Sequence, residues 1–303
     1  MSAITGWTSR RGSIPPPKGP RYLRAAAWAF TIPGVLIQFF FGWFPVLLAF
    51  LVGFQHYYLA KPAEFVGLRN FHEVAVDPLT PQVFGNTFYY AALALGLTFF
   101  IPIIVSILLM EMPPVVIRVM MVLWFLPVAT TAGIVMWKYL YSYNLGLLNG
   151  LLVAMHLPRV KWLDDPSLAM FSLVLPGFIL FGPGLVYIAS LQGIPEELYE
   201  AAEVEGAGFW RKVWQITLPR LRPVIAMMLI FSVIGSLQVF EQPFIMTQGG
   251  PGYATLVAVM RVYNLAFQAY NVGKATALAI VLFFVIMAII NLQRRYFRES
   301  LDE

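Results

Sequence analysis

Cysteine is absent from this 303-residue chain, and histidine occurs only three times. Without cysteine there is no disulfide framework and no thiolate metal site, and the redox compartment goes unread. His56, His72 and His156 are scattered and lack metal-ligand spacing, so no metal site is expected. Charge is the other scarcity, at 12% of residues against 59% hydrophobic ones, with a mean hydropathy of +0.74. That balance is far from a soluble composition. It also argues against a soluble protein with apolar core helices, which are shorter and amphipathic.

What the chain has in quantity is uncharged length. A bilayer core about 30 Å thick needs a helix of roughly 20 apolar residues. No charge occurs between Arg24 and Lys61, and nearly uncharged runs recur at about 86–110, 119–141, 166–192, 223–246 and 275–293. Six membrane spans are therefore expected. Lys138 and Glu241 lie near the ends of their runs, where a charged head reaches polar surroundings. The first apolar stretch is more than twice the length of a signal-peptide core, so a retained anchor is expected.

Six spans put both termini on one side. If that side is the cytoplasm, thirteen of the twenty Lys and Arg residues lie there and seven lie opposite. The positive-inside bias favours this orientation. The basic N-terminal tail has no folded basic module behind it, so no nucleic-acid partner is expected. The expected organisation is a cytoplasmic tail over 1–24, a transmembrane domain over 25–297 and a short cytoplasmic tail over 298–303.

One cytoplasmic segment breaks the apolar pattern. Glu196, Glu197, Glu200, Glu203 and Glu205 put five of the fifteen carboxylates into ten consecutive positions, with Arg211, Lys212, Arg220 and Arg222 close behind. Pro195 suits the first position of a helix, and the first glutamates then sit where the dipole favours anions. Leu198, Ala201 and Ala202 make a small apolar face at helical spacing. Gly206 and Gly208 can stop this helix. A second short helix fits Phe209–Thr217, with Phe209, Val213 and Ile216 spaced as one face and Pro219 as its end. Five carboxylates would be repelled by anionic lipid, which disfavours a helix lying on the membrane. A docking helix for a basic cytoplasmic partner fits better.

The spacing Glu200-Ala201-Ala202, three residues, Gly206, nine residues, Ile216, one residue, Leu218-Pro219 resembles the EAA loop of binding-protein-dependent ABC importer permeases. "VGLRNFHEV" (Val66–Val74), "WKYLYSYNLGLLNGLL" (Trp137–Leu152) and "VFEQPFIMTQGGPGYAT" (Val239–Thr255) resemble segments of the carbohydrate branch, the last of them in the maltose-type first permease. The family more often has Asp where Glu241 stands. The resemblance implies an all-α polytopic membrane protein of the bacterial cytoplasmic membrane. It would have six transmembrane helices of the type I ABC importer permease kind and a cytoplasmic coupling loop at about 193–222. It further implies a second homologous permease, two copies of an ABC ATPase, an extracytoplasmic solute-binding protein and a sugar-type substrate. ATP and Mg would bind the ATPase, leaving this chain without cofactor or catalytic residues. Glu200 would face a basic partner, Ala201 and Ala202 would allow close approach, and Gly206 would make the turn. Ile216, Leu218 and Pro219 would anchor the loop to the fifth span.

Polar groups inside a span mark candidate pathway residues, and transporter sites favour interrupted helices near midplane. The fourth span carries "FGPGLVYIASLQ" (Phe181–Gln192), with Pro183 and Gly184 breaking it before Tyr187 and Ser190. The fifth carries Gln238, Phe240, Glu241 and Gln242 before Pro243, with the three polar residues at the spacing of one helical face. Aromatic surfaces and fixed donors suit a sugar. Each such residue also has a plainer use as a bridge between helices.

Catalytic and motor chemistry leaves no trace. The glycine cluster "QGGPGYAT" (Gln248–Thr255) has no lysine, so it is expected to be an extracytoplasmic turn rather than a phosphate loop. Asp164-Asp165 is expected to be a turn as well. A self-contained secondary transporter or channel is the alternative, but it would need an ionisable group deep in a span, and none lies there.

Overall fold

The computed structural model describes residues 21–58, 63–125, 131–179 and 184–301. The chain divides into two compact units, Met1–Ala49 and Phe50–Glu303. In the first, Arg21–Gln38 is α-helical and passes through a π turn at Phe39–Trp43. Thr31 returns its hydroxyl to the carbonyl of Ala27 at 2.8 Å, so this polar side chain is satisfied within its own helix.

The fold is helical because hydrocarbon offers no partner to backbone N–H and C=O groups, and a helix satisfies them within one segment. Four helices are long and apolar enough to cross a membrane: Ala26–Gly53, Leu79–Met110, Phe209–Leu237 and Val272–Arg295. In the expected third and fourth spans the described residues form two helices each. Pro114–Phe125 and Thr131–Leu140 flank residues 126–130, and Pro166–Ile179 and Leu185–Gln192 flank residues 180–183. Pro183 lies outside the described residues.

The main core of the larger unit gathers Val83, Tyr90, Trp137, Met170, Leu173 and Leu237 from four helices. Polar side chains inside it bond to backbone. Thr87 donates to Val83 O at 2.7 Å and accepts the Ala258 N–H at 2.9 Å, joining two elements 171 residues apart. Ser106 Oγ lies 2.6 Å from Pro102 O and 3.1 Å from Gly184 O, so it ties the Phe100–Met110 helix to the start of Leu185–Gln192.

At the end of the bundle that carries residues 54–77, a small knot replaces helix. Gln55–His56 pairs antiparallel with Glu64–Phe65. Buried Asn70 donates to Gly53 O and Gln55 O at 2.9 and 2.8 Å. The amides of Val272 and Gly273 both reach Tyr57 O. Asp77, just before the Leu79–Thr98 helix, accepts the Leu79 amide at 3.0 Å, and Arg261 and Lys274 meet its other oxygen at 3.0 and 3.1 Å. The glycine cluster forms the expected turn, with Gln248, Gly249, Gly252 and Tyr253 at positive φ. Asp165 likewise accepts the Ser167 amide and hydroxyl at the head of its helix.

Candidate functional site: the Glu-rich elbow and the broken fifth span

The Glu-rich segment folds as an elbow. Its first arm is the helix Glu197–Val204, which begins two residues after Pro195. It stops at Gly206, whose φ is +77°. The Ala207 amide bonds Ala202 O at 2.8 Å and the Gly206 amide bonds Glu203 O at 2.9 Å. This pair of bonds closes the last carbonyls of the helix and needs a left-handed residue at Gly206. The expected glycine stop is thus present, with Gly206 as the turning residue.

Two side-chain contacts hold the second arm against the first. Tyr199 and Thr217 hydroxyls meet at 3.1 Å, and Lys212 donates to Glu203 at 2.7 Å. Neither pair was evident from sequence. A Lys nine residues after a Glu, across a glycine turn, is the signal that could have suggested the second. Glu200, Ala201 and Gly206 are exposed, while Ala202, Ile216, Leu218 and Pro219 are half-buried. Val204, at the end of the first arm, is 91% exposed. The elbow therefore presents outward its carboxylates and three bare apolar side chains, Val204 on the first arm and Trp210 and Trp214, each 67% exposed, on the second.

The second arm corrects one expectation. Pro219 does not end it. The helix runs on from Phe209 to Leu237, through a π turn at Val213–Thr217. Proline breaks a helix by lacking an N–H and by crowding the carbonyl four residues back. Here the Leu218 amide bonds Val213 O, five residues back, so the register ahead of Pro219 is already widened. The helix then passes the proline in its first turn, and elbow and fifth span become one rod.

The fifth span corrects another. Gln238, Glu241 and Gln242 do not share a helical face, because the helix stops at Leu237 and Gln238 caps it at φ −104°, ψ 15°. Val239 and Phe240 leave the helix, and a π turn follows at Pro243–Thr247. Pro243 supplies the reason, since its ring would meet the carbonyl of Val239 in a continuous helix. Gln238 borders a mostly apolar cavity of about 460 Å³ with Ile234, Val262 and Phe283. Phe240 stacks on Phe244 at 4.9 Å and reaches Tyr263 at 5.4 Å. Glu241 is exposed and Gln242 half-buried.

The fourth-span residues sit differently. Tyr187 is only 2% exposed, in a cluster with Phe99 and Ile103. It offers no surface in this conformation, contrary to its expected place beside a pathway. Ser190 spends its hydroxyl on Val186 O at 2.8 Å. Helical spacing placed both near an interruption, but which side of the helix was covered depends on packing partners distant in sequence. Among the described residues, no group of His, Asp and Glu could hold a metal ion.

The family described as Binding-protein-dependent transport system inner membrane component matches residues 103–302, which include the elbow and the broken span. The chain belongs to this family. It is a multi-pass inner-membrane permease, and the reading as a self-contained secondary transporter or channel falls away. Similar proteins include the Probable ABC transporter permease protein YurN of Bacillus subtilis (strain 168), 30% identical over 91% of this chain and 97% of that protein. The Arabinooligosaccharides transport system permease protein AraP of the same organism is 30% identical over 88% of this chain and 86% of its own. The Sulfoquinovosyl glycerol transport system permease protein SmoG of Agrobacterium fabrum (strain C58 / ATCC 33970) is 32% identical over 78% of each. The fold is also that of a chain in the crystal structure of a bacterial ABC transporter involved in the import of the acidic polysaccharide alginate. The TM-score is 0.79, with 23% identity over 92% of this chain and 99% of that one.

Proposed function

We propose that this chain is one of two homologous permease subunits of an ATP-driven importer for a sugar, oligosaccharide or related polyol. The relatives that carry arabino-oligosaccharides and sulfoquinovosyl glycerol support the substrate class. An external solute-binding protein delivers the substrate. Two copies of a cytoplasmic ATPase bind ATP and Mg and close around the coupling loops, and the path between the permeases alternates between inward- and outward-facing. The chain itself has no catalytic residue, and both its termini lie in the cytoplasm.

The observation that carries this reading is the elbow's continuity with the fifth span. Glu200, Ala201 and Ala202 lie on a helix locked by Gly206, Tyr199–Thr217 and Lys212–Glu203 to a rod that runs without a break to Leu237. A force applied by the ATPase at Glu200 is transmitted along that rod to its broken outer end. There Gln238, Phe240, Glu241 and Gln242 form the candidate sugar contacts, with half-buried Ser190 a further candidate and Tyr187 becoming available only if the bundle opens.

ATP-dependent uptake of labelled saccharides into proteoliposomes tests this reading. The tagged permease is reconstituted with its co-purifying subunits, and Gly206→Arg is compared with wild type. Loss of both uptake and ATPase retention is expected. Uptake that continues without ATP would overturn the reading.

A further inference from the structure

The short helix Leu147–Ala154 lies in the chain between Thr131–Leu140 and Pro166–Ile179, and its polarity is reversed. Leu147, Gly150, Leu151, Ala154 and Met155 recur at i, i+3, i+4, i+7 and i+8, and all five are exposed. None of them has a polar side chain. The polar residue, Asn149, is buried on the other side. Its Nδ2 donates to Val160 O at 3.0 Å and Tyr143 O at 3.2 Å, and its Oδ1 accepts the Val160 amide at 2.9 Å. Leu148 beside it packs on the main core. The helix is complete as it stands. His156 takes φ +59°, and the Leu157 amide closes on Leu152 O at 2.8 Å. Eight residues rise about 12 Å, against a hydrocarbon core about 30 Å thick, so this element does not cross a membrane.

An apolar helix face of this kind needs a cover, and its flanks indicate which. The exposed stripe continues that of the preceding helix. Val135, Met136 and Tyr139 are exposed along Thr131–Leu140, and Tyr143 and Leu145, the latter 93% exposed, lead on to Leu147. Residues 131–163 contain no Asp or Glu, and their only charges are Lys138, Arg159 and Lys161. Lys138 donates to Ile245 O. Arg159 and Lys161 are exposed, and neither meets a carboxylate within 4 Å among the described residues. The next acids are Asp164 and Asp165, and Ser167 engages Asp165. The Arg159 guanidinium lies over the Tyr143 ring, 5.8 Å from its centre. Leucine and tyrosine beside unpaired cations, with no carboxylate among them, match the headgroup boundary of a bilayer. A protein that docks and releases would be met by a polar rim instead.

We infer that helix Leu147–Ala154 lies in the plane of the membrane surface, with the Leu147–Met155 stripe among lipid acyl chains and Arg159 and Lys161 on headgroup phosphates. Asn149 ties this helix to Val160, and Trp162 packs on Tyr141 at 5.7 Å. The lipid contact therefore sets the depth at which this end of the bundle sits. The inference depends neither on the substrate nor on the ATPase docking reading.

The absence of cysteine makes the inference directly testable, since an introduced thiol is the only one in the chain. Leu147→Cys, Leu151→Cys and Met155→Cys are labelled singly with a bimane maleimide. Each is reconstituted with its co-purifying subunits into phosphatidylcholine vesicles, with and without phosphatidylglycerol. All three positions are exposed, so the labelled proteins should elute as wild type does on size exclusion. Bimane at each position should be quenched at least about two-fold more by lipid carrying a nitroxide high on the acyl chain than by lipid carrying it at the chain end, and little by aqueous iodide. Phosphatidylglycerol should raise the shallow quenching at position 151 about two-fold, and Arg159→Gln/Lys161→Gln should remove that rise. Strong quenching by iodide would show a face open to water and overturn the inference. Quenching by neither iodide nor nitroxide lipid would place a protein over the stripe and overturn it as well. A phosphatidylglycerol response that survives in the double variant would sink the phosphate contacts.

Discussion

Lys212 Nζ lies 2.7 Å from Oε1 of Glu203, across nine residues of chain that reverse direction at Gly206. The lysine is mostly covered, at 17% exposure, and the glutamate is mostly open, at 62%. The pair thus clamps the two arms beside the Tyr199–Thr217 contact, and both contacts line one cavity. An ion pair with one open partner is screened and contributes little to global stability. Its effect falls on the elbow. Lys212→Met should leave the unfolding temperature nearly unchanged and raise amide exchange in residues 205–212 by roughly two- to five-fold. Hydrogen exchange in detergent checks this, and Lys212→Arg should stay close to wild type.

Gly206 carries the sharper constraint. At φ +77° a Cβ is disfavoured by about 1–2 kcal/mol for an ordinary L-residue, even though no atom lies within 4 Å of where that Cβ would stand. The penalty is therefore conformational and not steric, so it follows left-handed propensity and not size. Uptake by the reconstituted importer should rank Gly above Asn, Asn above Ala, and Ala above Val at this position. A ranking by volume would show that the site is crowded by a partner instead.

Much of this elbow was legible in the sequence, and the reason is local. A glycine stop, a dipole-matched acidic first turn and an apolar face at helical spacing all follow from neighbours a few residues away. The failures were non-local or involved backbone registers that simple periodicity does not contain. Pro219 was expected to end a helix because a π turn at Val213–Thr217 leaves no signature in apolar spacing. The shared face of Gln238, Glu241 and Gln242 failed because Pro243 acts four residues upstream and breaks the period on which the face depended. Tyr187 follows the expected interruption in sequence, but its burial against Phe99 and Ile103 depends on a helix about 85 residues earlier in the chain.

Gly273 is a position where steric space itself decides. A Cβ there would meet Gln55 O, Asn70 Nδ2 at 2.9 Å and Tyr57 N at 3.2 Å. Two of the three are backbone atoms, and Asn70 is fixed by its bonds to Gly53 O and Gln55 O. Nothing nearby can yield cheaply. Gly273→Ala should cost on the order of 1–3 kcal/mol by overpacking, seen as a lower unfolding temperature of the purified permease. A wild-type melting curve would mean that the 54–58 segment can move away from the last helix.

Asp77 gives the end of the bundle that it shares with Arg261 and Lys274 a defined response to acid. Partial burial alone would raise its pKa, but the Leu79 amide, Arg261 and Lys274 together hold it below the usual carboxylate value. A carboxyl with a depressed folded-state pKa contributes stability that is present above the unfolded value of about 3.9 and is lost as pH falls through the folded value. Between pH 7 and pH 5 its contribution is therefore constant, and the loss begins only below about pH 4. Asp77→Asn removes the anion that Arg261 and Lys274 share and leaves two cations facing one neutral amide. Its unfolding temperature at pH 7 should fall by about 2–4 °C, and the gap from wild type should narrow as both are taken below pH 4. Melting curves at pH 7, 5 and 3.5 in detergent decide it. A gap that stays constant down to pH 3.5 would mean that the asparagine fails by packing, and that the two cations do not depend on the carboxylate.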